Sequence, residues 1–319
     1  MSNTVKWVLL AVGGLVFLLM VLAIVSLLAF AARSPDAEGG FSLGGDAVAI
    51  IEVRGAIQGG EGGGFSGGAF SDRIVRHVRR AQQDPSVKAI VLRVDSPGGA
   101  VTASDEIYRE ILRTRQEHHK VVVAPFGELA ASGGYYVSAA ADKIVTSPTT
   151  ITGSIGVISA IPDFQELLEK VGVKIQVIKS GAHKDETSGF RSMTEEERAI
   201  WQDMTNEMYD RFVEVVAQGR NMEPANVRKL ADGRVYSGRQ AVANGLADQL
   251  GDLQDAIQLA GEMSGIKGKP RMVRYAEPGF LDLFSGSLGT LLRQRYPWSD
   301  IWPLERPATL YYRYVGPQE

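Results

Sequence analysis

The sequence contains no cysteine, which excludes disulfides, thiol catalysis and cysteine-ligated metals and leaves the redox compartment open. An excess of one charge is missing too: 34 Lys and Arg stand against 37 Asp and Glu, a net charge of -3. Without a basic field, a zinc-finger spacing or a run of mixed basic and aromatic residues, nucleic acid is not an expected partner. Histidine is scarce, four in all, and no short-period repeat is visible. What is present is 45% hydrophobic and 22% charged content in 319 residues. That suffices to bury a full core and excludes general disorder.

One stretch has no charge at all. Trp7 to Ala32 is a mostly apolar run of about 26 residues, beyond the roughly 20 needed to span a bilayer. Residues 1–32 are therefore expected to form a short cytoplasmic stub and a transmembrane anchor. Lys6 and the amino terminus precede the run, while Arg33, Asp36 and Glu38 follow it. Positive-inside reasoning then puts the N-terminus in the cytoplasm and the globular part outside. A cleavable signal peptide competes, since Ala29-Phe30-Ala31 fits the small-x-small cleavage pattern. The run exceeds the roughly 7–15 residues of a usual signal-peptide core, which favours an uncleaved anchor.

Residues 33–45 read as a polar tether, and a globular domain is expected over 46–277. Ala47 to Ile57 suits a strand, Gly59 to Gly68 a mobile glycine loop, and Ser71 to Asp84 a helix with Ile74, Val75, Val78 and Ala81 on one face. Val87 to Val94 reads as a buried strand, and Ser104 as the cap of a helix carrying Ile107, Ile111 and Leu112. Val121 to Phe126, Ile144 to Thr146 and Lys174 to Ile178 are further expected strands. Thr194 and Glu197 form a capping box for a long helix reaching Gly219. Shorter helices are expected at Ser237 to Ala243 and Leu253 to Met263, with Gly245 and Gly251 at helix-ending positions. Alternating strands and helices predict an α/β fold with a largely parallel sheet. From Pro278 the chain mixes aromatics with proline and glycine, as in a tail that docks on another surface.

Three segments carry candidate chemistry. Asp95-Ser96-Pro97-Gly98-Gly99 follows a predicted strand, where α/β sheets place ligands. It is ordinary turn chemistry on its own, yet Gly98 and Gly99 can also turn backbone N–H groups toward an oxyanion. Ala130-Ala131-Ser132-Gly133-Gly134-Tyr135-Tyr136 sits between a predicted strand and helix. Ser132 is either a helix cap or an exposed nucleophile with the Gly133 N–H beside it. A serine nucleophile needs a base. His77 and the His118-His119 pair fall on predicted helices among charged residues and read as solvated, leaving His183 and its neighbour Lys184 in Lys179-Ser180-Gly181-Ala182-His183-Lys184-Asp185. Lys184 is either a surface lysine or a base. As a base it must be neutral, so burial would have to lower its pKa from about 10.4 by several units, which Asp185 would oppose if it faced the amine.

These segments, together with Thr152-Gly-Ser-Ile-Gly-Val157, resemble in order and spacing the motif series of the signal peptide peptidase A family, serine peptidase family S49, in its single-repeat form. The resemblance covers about Ala47 to Met263 and is far more specific as a set than any one motif. It implies a Clp protease/crotonase-like spiral of ββα units behind an N-terminal transmembrane helix. It implies Ser132 as nucleophile, Lys184 as general base, Gly99 and Gly133 as oxyanion donors and Ser154 as the residue that orients the lysine. A Ser132-His183 pair stays open as a variant. Also implied are a homo-oligomer whose active sites are shared between protomers, and hydrophobic or signal-peptide substrates at the outer face of the cytoplasmic membrane. The aromatic tail is expected to occupy the substrate groove or to pack on a neighbouring subunit, and the resemblance implies regulation by such a C-terminal segment. No metal or organic cofactor is needed, because a neutral amine and an oxyanion hole suffice for acyl transfer. A crotonase-like acyl-CoA enzyme and a non-catalytic oligomeric membrane scaffold are the competing functions.

Overall fold

The computed structural model describes residues 45–60, 68–275 and 311–313, the last in backbone only, together with Gly14, Leu18, Met20 and Val21, which are helical. The chain divides into two compact units, Met1–Gly45 and Asp46–Glu319. Among the described residues no helix is long and apolar enough to cross a membrane. Apart from those four residues and Gly45, the expected anchor and tether lie outside the described residues, as do the centre of the glycine loop and nearly all of the tail.

The second unit is α/β with a mixed sheet. Strand β1 (Ala47–Arg54) pairs in parallel with β4 (Val87–Ser96), which pairs with β6 (Val121–Ala131), and β6 with β7 (Lys143–Thr146). Short strands β10 (Gln249–Leu250) and β11 (Arg271–Arg274) close the two edges. Beyond the point where β7 stops, β8 (Ile151–Gly153) takes its place beside the C-terminal part of β6, and β9 (Val235–Ser237) runs antiparallel to β8. A smaller sheet holds β2 (Ile57–Gln58), β3 (Ala69–Phe70), β5 (Gly98–Ala100) and β12 (Tyr311–Arg313). Successive units pass from a large-sheet strand through a small-sheet strand into a helix: β1, β2–β3 and α1 (Ser71–Gln83), then β4, β5 and α2 (Val101–Gln116).

The central strands are apolar on both faces because both are covered. In β1, Ala47, Ala49, Ile51 and Val53 face the core under the helices on one side. Val48 and Ile50 face Ala256, Ile257 and Ala260 of α8 (Leu253–Met263) on the other. Helix α1 meets the first face with Ile74, Val78 and Ala81, at helical spacing. Full burial of one side chain such as Ile51 contributes about 1.5–3 kcal/mol, and truncating it to alanine costs about 2–5 kcal/mol.

Several expectations are corrected. Lys174 to Ile178 forms no strand and is exposed throughout. Its β-branched residues have no sheet edge to pair with among the described residues. Ser104 lies inside α2, where Ala100 is the cap position, and its hydroxyl donates back to the Ala100 carbonyl at 3.0 Å. His118 and His119 lie beyond the end of α2. Gly251 does not end a helix but sits between β10 and α8. The capping box is as expected: in α5 (Glu195–Arg220) the Glu197 N–H donates to the Thr194 hydroxyl at 3.2 Å, and the Thr194 N–H to the Glu197 carboxylate at 2.9 Å.

Candidate active site

Strand β6 ends at Ala131, helix α3 (Gly133–Ser138) begins two residues later, and Ser132 alone makes the turn. It does so at φ 52° and ψ −117°, a conformation that costs a non-glycine residue on the order of 1–3 kcal/mol. The neighbours hold it there. The Ser132 N–H donates to the Gly153 carbonyl at 2.8 Å, and the Ser132 carbonyl accepts from the Tyr136 N–H at 2.8 Å. The two tyrosines of the motif pin α3 from below. Tyr135 donates to the Leu246 carbonyl at 2.8 Å from full burial, which pushes its hydroxyl pKa well above the ordinary value. Tyr136 donates to Asp105 at 2.7 Å and stacks edge-on against Phe212 of α5, centroids 5.0 Å apart.

The serine side chain is not a helix cap. Ser132 makes no capping hydrogen bond, and its hydroxyl is buried with no hydrogen-bond partner among the described residues. A buried hydroxyl left unpaired costs about 1–3 kcal/mol, so two separate penalties fall on the same residue.

Ser154 is brought beside it. Ala131 is in register with Gly153 across β6 and β8, so Ser132 and Ser154 leave the two parallel strands side by side. Ser154 is also left-handed, at φ 48°, and its N–H donates to the Arg234 carbonyl at 2.8 Å.

The two glycines expected to serve as oxyanion donors, Gly99 and Gly133, meet as well. A side-chain carbon on Gly133 would fall 3.1 Å from the Gly99 nitrogen, and one on Gly99 would fall 2.0 Å from the Ile57 carbonyl oxygen. Only glycine fits at Gly99, where β5 lies against β2. The turn into β5 is fixed by Ser96, whose buried hydroxyl donates to the Gly55 carbonyl at 2.7 Å and accepts from the Gly98 N–H at 3.0 Å, contacts its place in a turn motif does not reveal. The other edge of β5 is occupied. Residues 311–313 pair with it antiparallel, Tyr312 opposite Gly99.

Lys184 stands apart. It is exposed, and no hydrogen bond or ion pair among the described residues joins it to Ser132 or to a carboxylate. Its loop is nonetheless organised. Asp185 accepts from Lys179 at 2.7 Å and from Arg191 at 2.7 and 3.2 Å, and Arg191 also donates to both oxygens of buried Glu197 at 2.6 and 2.8 Å. Arg191 first, then Lys179, holds the Asp185 carboxyl well below the usual carboxylate range, and Arg191 does the same for Glu197. His183 belongs to this corner: its Nδ1 lies 3.5 Å from Glu197 and its Nε2 3.8 Å from Glu196. His183, Glu186 and Glu197 are close enough to hold a metal ion. Arg191 already engages both Glu197 oxygens, whereas His183 Nδ1 and Glu186 Oε2 are buried with no hydrogen-bond partner among the described residues.

A peptidase family S49 model matches residues 114–267, a span that includes Ser132, Ser154 and Lys184, and a Clp protease model matches residues 67–151. A protein of Enterococcus faecium, provisionally named signal peptide peptidase SppA, is 44% identical over 212 residues, covering 66% of this chain and 61% of that one. A provisionally named protease of Synechocystis sp. (strain ATCC 27184 / PCC 6803 / Kazusa) is 40% identical over 220 residues, covering 69% of this chain and 75% of its own. Protease 4 of Haemophilus influenzae is 36% identical over 245 residues, 77% of this chain but 39% of that protein. The chain thus spans less than two thirds of the Enterococcus and Haemophilus relatives. It belongs to peptidase family S49.

Proposed function

We propose that the chain is a serine endopeptidase in which Ser132 is the nucleophile and Lys184 the general base, acting on hydrophobic unfolded segments such as cleaved signal peptides. The observation that carries this reading is Ser132 itself: buried, left-handed at φ 52°, with an unpartnered hydroxyl beside two closely apposed glycines. Strain and an unmet hydrogen bond at one residue are the marks of a position kept for chemistry. In the reaction the Ser132 hydroxyl oxygen bonds to the scissile carbonyl carbon as its proton passes to the neutral Lys184 amine. Backbone N–H groups of Gly99 and Gly133 stabilise the oxyanion. The lysine then gives the proton to the leaving amine, and water, deprotonated by the same lysine, cleaves the acyl ester.

The base comes from a neighbouring protomer in this reading. Two features support it. Lys184 is exposed in the single chain, and the segment leading to it carries Val173, Ile175 and Val177 exposed and Ile178 fully exposed. Exposed backbone outside any helix or strand, carrying apolar side chains, is a surface for a second copy, and such contact would take the lysine out of water and favour its neutral form. Residues 7–32 would anchor the oligomer in the cytoplasmic membrane with the peptidase unit on the outer side.

Labelling by a serine-directed fluorophosphonate tests the reading. Wild type is expected to label at Ser132 and S132A to remain unlabelled, whereas a coenzyme A enzyme or a scaffold would label in neither form. Mixing S132A with K184A protomers tests the shared site. Recovered activity supports a lysine supplied in trans, and none in verified mixed oligomers removes it.

A further inference from the structure

We propose that Arg191 is a positioning residue for the general base: it holds the Asp185 carboxylate turned into the loop, so that the residue adjoining Lys184 cannot form an ion pair with the amine. The inference rests on Lys184 being the base. A general base must be neutral to accept the serine proton, yet Lys184 is followed directly by an aspartate. An opposite charge within about 4–6 Å favours the protonated amine and raises its pKa by about 1–3 units. In a site dried by an approaching protomer the attraction strengthens further.

The structure removes that opposition by occupying the carboxylate. Asp185 Oδ1 accepts from Lys179 Nζ at 2.7 Å and Arg191 Nη2 at 2.7 Å, while Oδ2 accepts from Arg191 Nε at 3.2 Å. The Asp185 side chain is only 9% exposed, so its orientation is held by packing as well as by charge. Arg191 is in turn fixed from the far side. It donates to both Glu197 oxygens, and Glu197 is 2% exposed and committed to the capping box of α5. A planar guanidinium can grip two carboxylates at once through separate edges, which an ammonium cannot do. The chain of contacts thus runs from the start of α5, through Arg191, to the residue beside Lys184.

Other charged groups share the corner. On the loop itself His183 and Glu186 flank the pair. From α5, Glu196 lies 3.8 Å from His183 Nε2, and Glu195 pairs loosely with Arg198 at 3.9 Å. On the other side Asp163 accepts from the Ser192 hydroxyl at 2.6 Å. None of these forms an ion pair with Lys184, which leaves Asp185 as the carboxylate whose release would matter most.

The test is the pH dependence of kcat/KM for a fluorogenic hydrophobic peptide, measured on the full-length oligomer. Wild-type activity should rise with pH as Lys184 loses its proton. In R191A, Asp185 loses both Arg191 bonds and keeps Lys179 on Oδ1, and its loosened carboxylate should move the midpoint of that rise upward by about one unit or more. The double variant R191A/D185N should return the midpoint to the wild-type value whatever its maximal rate, and R191K should fall between. A midpoint unmoved in R191A, or moved equally in R191A and R191A/D185N, overturns the proposal. If R191A fails to assemble, R191K against R191K/D185N carries the same comparison. K184A separates this proposal from the reading beneath it. Should K184A keep the rising limb, the base assignment has failed; should it lose activity while R191A leaves the midpoint in place, only the role of Arg191 has failed.

Discussion

Gly133 faces the backbone nitrogen of Gly99 so closely that a side-chain carbon on Gly133 would come within 3.1 Å of it. Two glycines 34 positions apart in the sequence are thereby made neighbours at the head of α3. Their substitution should be costly to different degrees. In G99A the added carbon meets the Ile57 backbone at 2.0 Å and in G133A the Ser104 hydroxyl at 2.7 Å. Overpacking of this kind costs about 1–3 kcal/mol, and G99A should be the worse because backbone yields less than a side chain. Both should lower turnover by about 100-fold or more if the N–H donors are displaced. Denaturant unfolding and peptide turnover check this; an unaltered G99A would show that β5 does not hold the oxyanion site.

The strain at Ser132 predicts an exchange of activity for stability. S132G relieves the left-handed conformation and deletes an unpaired buried hydroxyl; S132A deletes the hydroxyl and keeps the strain. Glycine is therefore expected to be the more stable of the two inactive variants by about 1 kcal/mol. Urea midpoints for the pair measure it. An S132G no more stable than S132A would mean that the turn is unstrained.

Arg191 should stabilise the fold in a pH-dependent way. Asp185 and Glu197 have carboxyls held below the usual range, chiefly by Arg191. A carboxyl whose folded pKa lies under its unfolded value contributes stability that is present above the unfolded value and fades as pH falls toward the folded one. The stability difference between wild type and R191M should be full at pH 7 and shrink below about pH 4. Equal differences at pH 7 and pH 3 would show that the guanidinium acts by packing alone.

The pairing of residues 311–313 with β5 places tail backbone on the strand that carries Gly99. An extended peptide substrate adding to a sheet edge would need that same place. Truncation after Pro278 is expected to raise peptidase activity at unchanged oligomeric state, by several-fold at low substrate. Equal or lower activity in an intact truncated oligomer would remove the autoinhibitory reading.

Much of the fold was legible because its signals are local. The β-branched strands, the Ile74, Val78 and Ala81 face and the Thr194 capping box are written within single turns or alternations. The segment around Ser132 stands out in the sequence as a set of glycines and tyrosines, although its backbone strain does not. Part of what escaped depends on contacts far apart in sequence. Ser96 was read only as a turn residue, since its bond to Gly55 spans 41 positions. Ser104 looks like a cap until β5 is seen to lead straight into α2. Arg191 carried no motif, and its role appears only when Asp185 and Glu197 converge on it. Lys174 to Ile178 has the composition of a strand but pairs with no sheet edge among the described residues, so composition alone misplaced it.

The most direct test of the Ser132–Lys184 assignment is cleavage of a fluorogenic hydrophobic peptide by wild type, S132A, K184A and H183A at matched oligomeric state from pH 6 to 10. The expected result is loss of turnover in S132A and K184A, retention in H183A, and wild-type activity that climbs into alkaline pH. Full activity in S132A would contradict the nucleophile, and an active K184A beside an inactive H183A would move the base to the histidine.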